Sequence, residues 1–279
     1  MTNFNPIFED APTKDWNHPY TIAPLIFTSN NEKLIGTVFL TAGIGPHPTV
    51  LLLHGFPGNE LNYDIAHMLR RSGFNVVLFH YRGAWGSTGS FTFSNGIEDV
   101  NNAIRFLKSD KARKDFNIDK EKIILIGHSY GGFTALLNSV DYNDIKHIAF
   151  LAGFNFGYFA QFIRQDKNIE AATMEGLTLG SQIVNNADPK LLFNEIMGNQ
   201  NKWNLISLSE KLKEKNILLV GAEYDSVSPI QIHHIPLLEK LSKTENKITD
   251  VIIQSEHSFS CCRIKLNEVI YNWIKEIKF

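Results

Sequence analysis

The sequence has few cysteines and no long apolar run, and both absences narrow the class of protein. Only two of its 279 residues are cysteines, Cys261 and Cys262, and they are neighbours in the chain. Adjacent cysteines are poorly placed to form an ordinary disulfide with each other, so the cysteine content does not require an oxidising compartment. No segment approaches the roughly 20 apolar residues of a membrane helix, and the N-terminal MTNFNPIFEDAPTKDWNHPY lacks the features of a signal peptide. We therefore expect a soluble, cytoplasmic protein without a membrane span.

A surplus of charge and the common phosphate-binding motifs are also missing. The formal net charge is −2, which gives no argument for a nucleic-acid partner. RGAWGSTG at residues 82–89 does not match G-x-G-x-x-G, and no G-x-x-x-x-G-K-[ST] occurs. His257 with the two cysteines lacks a fourth zinc ligand at a sensible spacing, and the cysteines fit better as part of a final helix. The sequence thus predicts no metal and no cofactor, and it leaves the oligomeric state open.

Short aliphatic runs alternate with longer segments of helical spacing along most of the chain. Runs such as TVLLL (49–53), IILI (123–126) and ILLV (217–220) are continuous, which is typical of strands covered on both faces. Their alternation with helices predicts parallel pairing through crossover connections. The two apolar runs before residue 49, separated by SNNEK, indicate an antiparallel hairpin at the sheet edge. The predicted fold class is therefore α/β, a mostly parallel, doubly wound sheet with N-terminal antiparallel strands.

Residues 154–201 interrupt this alternation, because they contain no convincing strand. FNFGYFAQFIRQ and residues 177–184 have helical spacing. We interpret 154–201 as a helical cap inserted in a single domain of residues 1–279, although additional core helices would give the same pattern. The aromatic residues Phe154, Phe156, Tyr158 and Phe159 either line an acyl pocket beneath this cap or pack the cap itself.

The stretch IILIGHSYGG ends an aliphatic run with a serine between glycines. In G-x-S-x-G between a strand and a helix, the serine lies at a strained turn where its hydroxyl is exposed. Gly127 and Gly131 lack the side chains that would collide there, and the following helix favours negative charge near Ser129. Because strand and helix predictions flank the motif, we predict Ser129 to be a nucleophile.

A nucleophilic serine needs a base, and the base needs an orienting carboxylate. Asp225 follows the predicted strand ILLVG, and His257 follows VIIQ. Both residues and Ser129 therefore come after the carboxyl ends of strands that we expect to be parallel, so they can meet at one edge of the sheet. Glu223 is an alternative carboxylate, whereas Glu256 adjoins His257 and is poorly placed to bond it. His233 and His234 fall in a predicted helix and are interpreted as a surface pair.

Two backbone amides are predicted to stabilise the oxyanion of a tetrahedral intermediate. HGFPGNE follows the strand TVLLL, and its glycines allow the amide of Phe56 to face the site. The amide of Tyr130, the residue after the nucleophile, is the second predicted donor. We expect His54 to hold this loop by hydrogen bonding. Arg82 is expected to anchor its own loop through a carboxylate, and substrate binding is its alternative role.

Together, HGFPG, HYRGAWGS, GHSYGG, GAEYDSVSP and SEHSF resemble serine hydrolases of the α/β-hydrolase superfamily, over nearly the whole chain. The chain is most similar to small bacterial esterases and to the prolyl-oligopeptidase-like and serine-aminopeptidase-like branch. The order Ser, Asp, His along the chain is the one expected of that fold. Family members commonly have R-G-x-G-x-S, and here Trp85 stands at the second glycine.

The resemblance implies hydrolysis of a small-molecule acyl substrate through an acyl-enzyme intermediate. A carboxylic ester is the first expectation, because the chain lacks the large added domain by which many relatives select peptides. Aminopeptidase, acylaminoacyl-peptidase-like and thioesterase activities use the same machinery and remain alternatives. A non-hydrolytic ligand-binding protein is a further alternative, since a fold does not determine its function.

Overall fold

The computed structural model describes residues 4–11 and 15–279, and a mixed sheet forms the centre of this part of the chain. Its strands are β1 (Thr21–Ser29), β2 (Glu32–Leu40), β3 (His47–Leu53), β4 (Asn75–Phe79), β5 (Ile118–His128), β6 (His147–Leu151), β7 (Asn216–Ala222) and β8 (Lys247–Ile253). They lie in the order β1-β2-β4-β3-β5-β6-β7-β8. β2 pairs antiparallel with β1 and with β4, and the other pairs are parallel. The predicted sheet is confirmed.

Helices cover both faces of the sheet. They are α1 (Tyr63–Arg71), α2 (Phe93–Leu107), α3 (Asp110–Phe116), α4 (Tyr130–Ser139), α5 (Phe156–Gln165), α6 (Lys167–Ser181), α7 (Pro189–Gly198), α8 (Ile230–His233), α9 (Ile235–Leu241) and α10 (Arg263–Ile274). A short 3-10 helix spans Leu205–Leu208. Residues of α1 and α10 pack in one hydrophobic core, and residues of α2, α4 and α9 pack in the other.

The continuous aliphatic strands supply both cores at once. Side chains alternate along a strand, so Val50 and Leu52 of β3 enter the core with α1 and α10, while Leu51 and Leu53 enter the opposite core. These four residues are at most 1% exposed. Burial on both faces explains why the strands lack the alternating polar residues of a half-exposed sheet.

The antiparallel edge is formed by a tight hairpin. Ser29 of β1 pairs with Glu32 of β2, which leaves a two-residue loop of Asn30 and Asn31. Both have positive φ angles, 47° and 67°, a conformation that asparagine tolerates and that favours this type of turn. The hairpin predicted around SNNEK is therefore confirmed.

Three helices, α5 to α7, connect β6 to β7, where the sequence predicted helices and no strand. The predicted start of α6 was wrong, because this helix begins at Lys167 rather than at Leu177. The Asp166 side chain caps it by accepting a hydrogen bond of 2.8 Å from the amide of Asn168. Capping by a carboxylate starts a helix without any apolar signal, which is why hydrophobic spacing alone placed the start too late.

Among the described residues, no helix combines the length and the apolar character that crossing a membrane requires.

Candidate active site

Ser129 lies in a strained turn between β5 and α4. Its backbone has φ 56° and ψ −120°, outside the conformations that non-glycine residues ordinarily adopt. A Cβ at Gly127 would overlap the carbonyl of Gly131, and a Cβ at Gly131 would overlap the carbonyl of Leu53. The two glycines therefore let β5 and α4 meet at a sharp angle, with Ser129 at the corner.

His257 donates a hydrogen bond from Nδ1 to Oδ2 of Asp225, over 2.7 Å. The Asp225 side chain is fully buried, and its Oδ1 accepts hydrogen bonds from the amides of Val227 (2.8 Å) and Ser228 (2.7 Å). Burial by itself would raise the pKa of Asp225, but the hydrogen bonds from His257 and from the two amides outweigh it and hold this pKa below its ordinary value. An ionised carboxylate so held keeps the Nδ1 proton on His257, which leaves Nε2 free to act as a base. The competing carboxylate, Glu223, is exposed.

His128 connects this pair to the serine turn. Its Nε2 donates to the carbonyl oxygen of His257 over 2.8 Å, and the two ring centroids are 4.8 Å apart. Burial lowers the pKa of His128 to about 3, so the ring is a neutral donor at physiological pH. Within residues 4–11 and 15–279, Ser129 forms no hydrogen bond to His257; in unliganded sites this bond often tightens only when substrate binds.

The residues of the two predicted oxyanion donors line the same cavity as Ser129. Phe56 follows β3, and Tyr130 is the first residue of α4. In the part of the chain that the structure describes, neither amide donates to a protein acceptor, so both are free to bind a ligand. A Cβ at Gly55 would lie 3.0 Å from Cβ of Ser129, and the absence of this atom lets the loop approach the serine.

Trp85, which stands where the family pattern has a glycine, has a backbone conformation that is rare for residues other than glycine. Its φ is 47°, in the left-handed region that glycine adopts easily and that costs other residues about 1 to 2 kcal/mol. Its indole Nε1 donates to the carbonyl of Pro57 over 3.0 Å. The strained tryptophan thus fixes the loop that carries Phe56.

A cavity of about 580 Å³ opens beside Ser129, between α5, α6 and the loops after β3 and β7. Phe56, Ser129 and Tyr130 form part of its wall, as do Phe154, Phe156 and Phe159. Tyr158 is not a lining residue; its ring contacts Phe162 instead, with centroids 5.4 Å apart. We therefore leave Tyr158 out of the candidate pocket.

The interpretation of His233 and His234 as a surface pair is wrong. Both are buried, at 1% and 3% exposure. His233 accepts a hydrogen bond of 2.9 Å from the amide of Asn155 and stacks on Phe154 at 4.0 Å, and burial lowers its pKa to about 3. His234 Nε2 lies 2.6 Å from Asp250. The short helix α8 packs against α5 and brings both rings inside, which a local helical pattern does not reveal.

Two other loop predictions are confirmed. His54 Nδ1 donates to the carbonyl of Gly55 over 2.7 Å, and burial lowers the pKa of His54 to about 3. Arg82 bonds the carboxylates of Asp99 and Glu98, each over 2.6 Å. Both residues hold loops around the candidate site and do not line the cavity.

The prediction that the two cysteines belong to the final helix is wrong, because both precede it. Cys261 is exposed in the loop after β8, and Cys262 is the residue before α10. Their sulfur atoms are 3.6 Å apart. Within the described ranges, no three His, Cys, Asp or Glu side chains are grouped so that they could share a metal ion.

Sequence reasoning missed two contributors to this site. His128 stands inside GHSYGG, next to the predicted nucleophile, so its position in the motif was the available signal. The wall contributed by α6 includes Ile169, Thr173, Gly176 and Gly180. Their spacing of three or four residues marks one face of a helix, but no pattern in the sequence connects that face with Ser129.

Known proteins share parts of this sequence and most of this fold. The chain is 26% identical to esterase EstD from Thermotoga maritima over 136 residues, which is 44% of this chain and 32% of that protein. A structure of a Pyrococcus furiosus esterase has a TM-score of 0.67 at 17% identity and covers 95% of this chain and 96% of its own. An acylaminoacyl peptidase from Pyrococcus horikoshii has a TM-score of 0.67 at 18% identity, covering 92% of this chain and 41% of that one. At such low identities the structural likeness concerns the fold alone.

The model of the alpha/beta hydrolase family matches residues 50–195, which include the loop of Phe56 and the turn of Ser129. Of the strands outside this range, β7 and β8 complete the sheet on the side where Asp225 and His257 follow. The chain is a member of the alpha/beta hydrolase family.

Proposed function

We propose that this protein is a serine hydrolase that cleaves a carboxylic ester, with Ser129, His257 and Asp225 as its catalytic residues. The observation that carries the proposal is the hydrogen bond from His257 to the buried Asp225, with His257 also bonded to His128, the neighbour of a strained serine that lines an apolar cavity. A structural ion pair would need none of these neighbours. A triad needs a serine, a histidine and a carboxylate brought together.

In the proposed reaction, Ser129 Oγ attacks the acyl carbonyl carbon while His257 Nε2 takes the serine proton. The carbonyl oxygen becomes an oxyanion that accepts hydrogen bonds from the amides of Phe56 and Tyr130. Asp225 stabilises the imidazolium that forms on His257. When the tetrahedral intermediate collapses, His257 gives its proton to the departing alkoxide, and the acyl group remains on Ser129.

Water completes the cycle through the same groups. His257 removes a proton from the water molecule, whose oxygen attacks the acyl carbon, and a second tetrahedral intermediate forms. Its collapse returns the proton to Ser129 and releases the carboxylic acid. His128 supports both halves as a positioning residue, because its hydrogen bond holds the backbone of His257.

The cavity wall supports an ester rather than an aminopeptidase substrate. A free substrate amine needs a carboxylate nearby, and within the described part of the chain no Asp or Glu lines the cavity. Helices α5 to α7 act as the cap in this proposal, since α5 and α6 supply much of the wall above Ser129. Thioester cleavage would use the same groups and is separated from ester cleavage by substrate panels.

The first test is labelling with a fluorophosphonate, read by intact mass. We expect one adduct on the wild-type protein and none on Ser129→Ala, because only an activated serine attacks the probe. Ser207→Ala, which removes an exposed hydroxyl outside the cavity, should label like wild type.

The same proteins are then assayed with p-nitrophenyl butyrate. Loss of turnover in Ser129→Ala with retained thermal stability would support the triad. An unlabelled, folded wild-type protein that binds butyrate esters without cleaving them would contradict the proposal and favour a ligand-binding protein.

A further inference from the structure

Two polar side chains of the cavity wall, Thr173 and Tyr130, are tied to the protein, whereas Asn59 and Ser226 are exposed. Over the described residues, no charged side chain lines the cavity. Thr173 donates its hydroxyl to the carbonyl of Ile169 over 2.7 Å, and Tyr130 donates to the carbonyl of Phe93 over 2.6 Å. A charged or strongly polar group held against the buried part of the wall would therefore lose its hydration without gaining a partner.

The cavity extends from the serine along the groove between α5 and α6. The near end is marked by Gly180, where an added Cβ would overlap the ring of Phe56. The far part of the wall begins at Thr173, towards the start of α6, and Ile169 lies one helical turn beyond it. Thr173 to Gly180 spans about 10 Å at 1.5 Å per residue, the length of an extended acyl chain of roughly eight carbons.

The inner wall of this groove is apolar and buried, so it can hold such a chain. Phe93, Phe156, Leu177 and Ile196 line it, and each is at most 6% exposed. Apolar groups that leave water at such a wall are stabilised in proportion to their buried area. The opposite side is open, because Leu179 and Ile183 at the rim are 59% and 45% exposed.

Gly176 lines the cavity between Thr173 and Gly180, and it is exposed. It lies one helical turn, about 6 Å, beyond Gly180 as measured from Phe56. Apart from its chain neighbours and the adjacent backbone of α6, no heavy atom of the described residues lies within 4 Å of a Cβ built at Gly176, in contrast to Gly180. A side chain at this position could therefore enter the groove without displacing the protein.

We propose that the substrate is an ester of a neutral, unbranched, medium-length acyl group, that its chain lies along α6, and that Gly176 determines the accepted chain length. This inference rests on the proposed ester hydrolysis for its kinetic test and on the cavity alone for its binding test. It assigns α6 the role of the specificity-determining element.

The kinetic test compares p-nitrophenyl esters from acetate to dodecanoate. For wild type we expect kcat/KM to rise roughly threefold to fivefold per methylene as the chain is desolvated, and to stop rising near eight carbons. Gly176→Leu should lower kcat/KM for octanoate about tenfold or more and leave acetate within about twofold. Ala171→Leu, an exposed position of α6 outside the cavity, should keep the wild-type profile.

A charged chain provides a second comparison. The 6-aminohexanoate ester should be cleaved at least about a hundredfold less efficiently than hexanoate, since its ammonium group meets no carboxylate on the wall. The inference would be overturned if Gly176→Leu lowered kcat/KM equally for all chain lengths. It would also be overturned if wild type preferred acetate or the charged chain. Ester hydrolysis would stand in each of these cases.

The binding test does not depend on catalysis. Titration of Ser129→Ala with methyl octanoate, followed by calorimetry, should give saturable binding that Gly176→Leu in the same background weakens about tenfold. If wild type cleaves no ester but this binding pattern is found, the proposed function fails and the cavity inference stands. If methyl octanoate does not bind, or binds equally to both proteins, the inference fails.

Discussion

Single residues in this protein are fixed by several neighbours at once, and Asp225 is an example. One carboxylate oxygen faces His257 and the other accepts two backbone amides, so neither oxygen can rotate away. Three hydrogen bonds to a buried anion hold both its position and its charge. The backbone of His257 is held as well, because His128 donates a hydrogen bond to its carbonyl oxygen.

Replacing Asp225 by Asn should lower kcat for p-nitrophenyl esters by up to about 10⁴-fold. The amide keeps the shape of the carboxylate but neither holds the required His257 tautomer nor stabilises the imidazolium. The measurement is kcat beside the melting temperature. Glu223→Gln, the exposed alternative carboxylate, should retain wild-type kcat; if it loses as much as Asp225→Asn, the assignment of the carboxylate is wrong.

At the scale of elements, helix α6 packs directly against the loop after β3, and the contact is made at a glycine. Gly180 lies against the ring of Phe56, which packs on Phe91 and Phe93 at centroid distances of 4.9 and 5.5 Å. The ring therefore has aromatic neighbours behind it and a helix in front. Any side chain at Gly180 would therefore push against the Phe56 ring and displace the loop whose amide is the proposed oxyanion donor.

Gly180→Ala should lower kcat/KM for p-nitrophenyl butyrate about tenfold, because a shifted Phe56 misaligns its amide, and loss of a whole donor costs about 10² to 10³. Gly198→Ala is the matched control, since in the described structure no atom lies within 4 Å of a Cβ there. Alanine is the better helix former by up to about 1 kcal/mol, so the control should be as active and slightly more stable. Unchanged kinetics in Gly180→Ala would mean that the ring moves without its amide.

At the scale of the whole molecule, a buried ion pair joins the edge of the sheet to the helical layer. Arg82 follows β4, Asp99 lies in α2, and Ser29 ends β1. Asp99 Oδ1 accepts hydrogen bonds of 2.6 Å from both Arg82 Nε and the Ser29 hydroxyl. The Asp99 side chain is fully buried and the Arg82 side chain is 7% exposed.

Arg82→Met should lower the free energy of unfolding by about 3 to 5 kcal/mol, because it leaves the Asp99 charge buried without its partner. Urea denaturation monitored by circular dichroism measures this change. Lys111→Met breaks an exposed pair with Asp115, where the lysine side chain is 69% exposed, and should change the free energy by about 0.5 kcal/mol or less. If the two substitutions lower the free energy of unfolding by similar amounts, the buried pair does not stabilise the protein more than the exposed pair does.

The sequence by itself determined the sheet and the candidate residues that follow its strands. Continuous aliphatic runs required burial on both faces, and parallel strands deliver their carboxyl ends to one edge. Ser129, Asp225 and His257 could therefore be proposed together from strand order alone, although their catalytic roles remain predictions. The structural roles of Arg82 and His54 could also be predicted from the sequence, because a charged or polar side chain in such a loop needs a hydrogen-bond partner.

Only the tertiary structure decided the wall of the cavity and the burial around it. The packing of α5 against α6 selects Ile169, Thr173 and Gly176 as lining residues, sends Tyr158 elsewhere, and gives α8 a buried face with His233. Periodicity identifies the face of a helix but not the neighbour it meets, because that contact joins segments that are far apart in the chain and is fixed by how whole elements fill space. The chemistry of the proposed reaction is thus readable along the chain, whereas the choice of substrate depends on the way the helices pack.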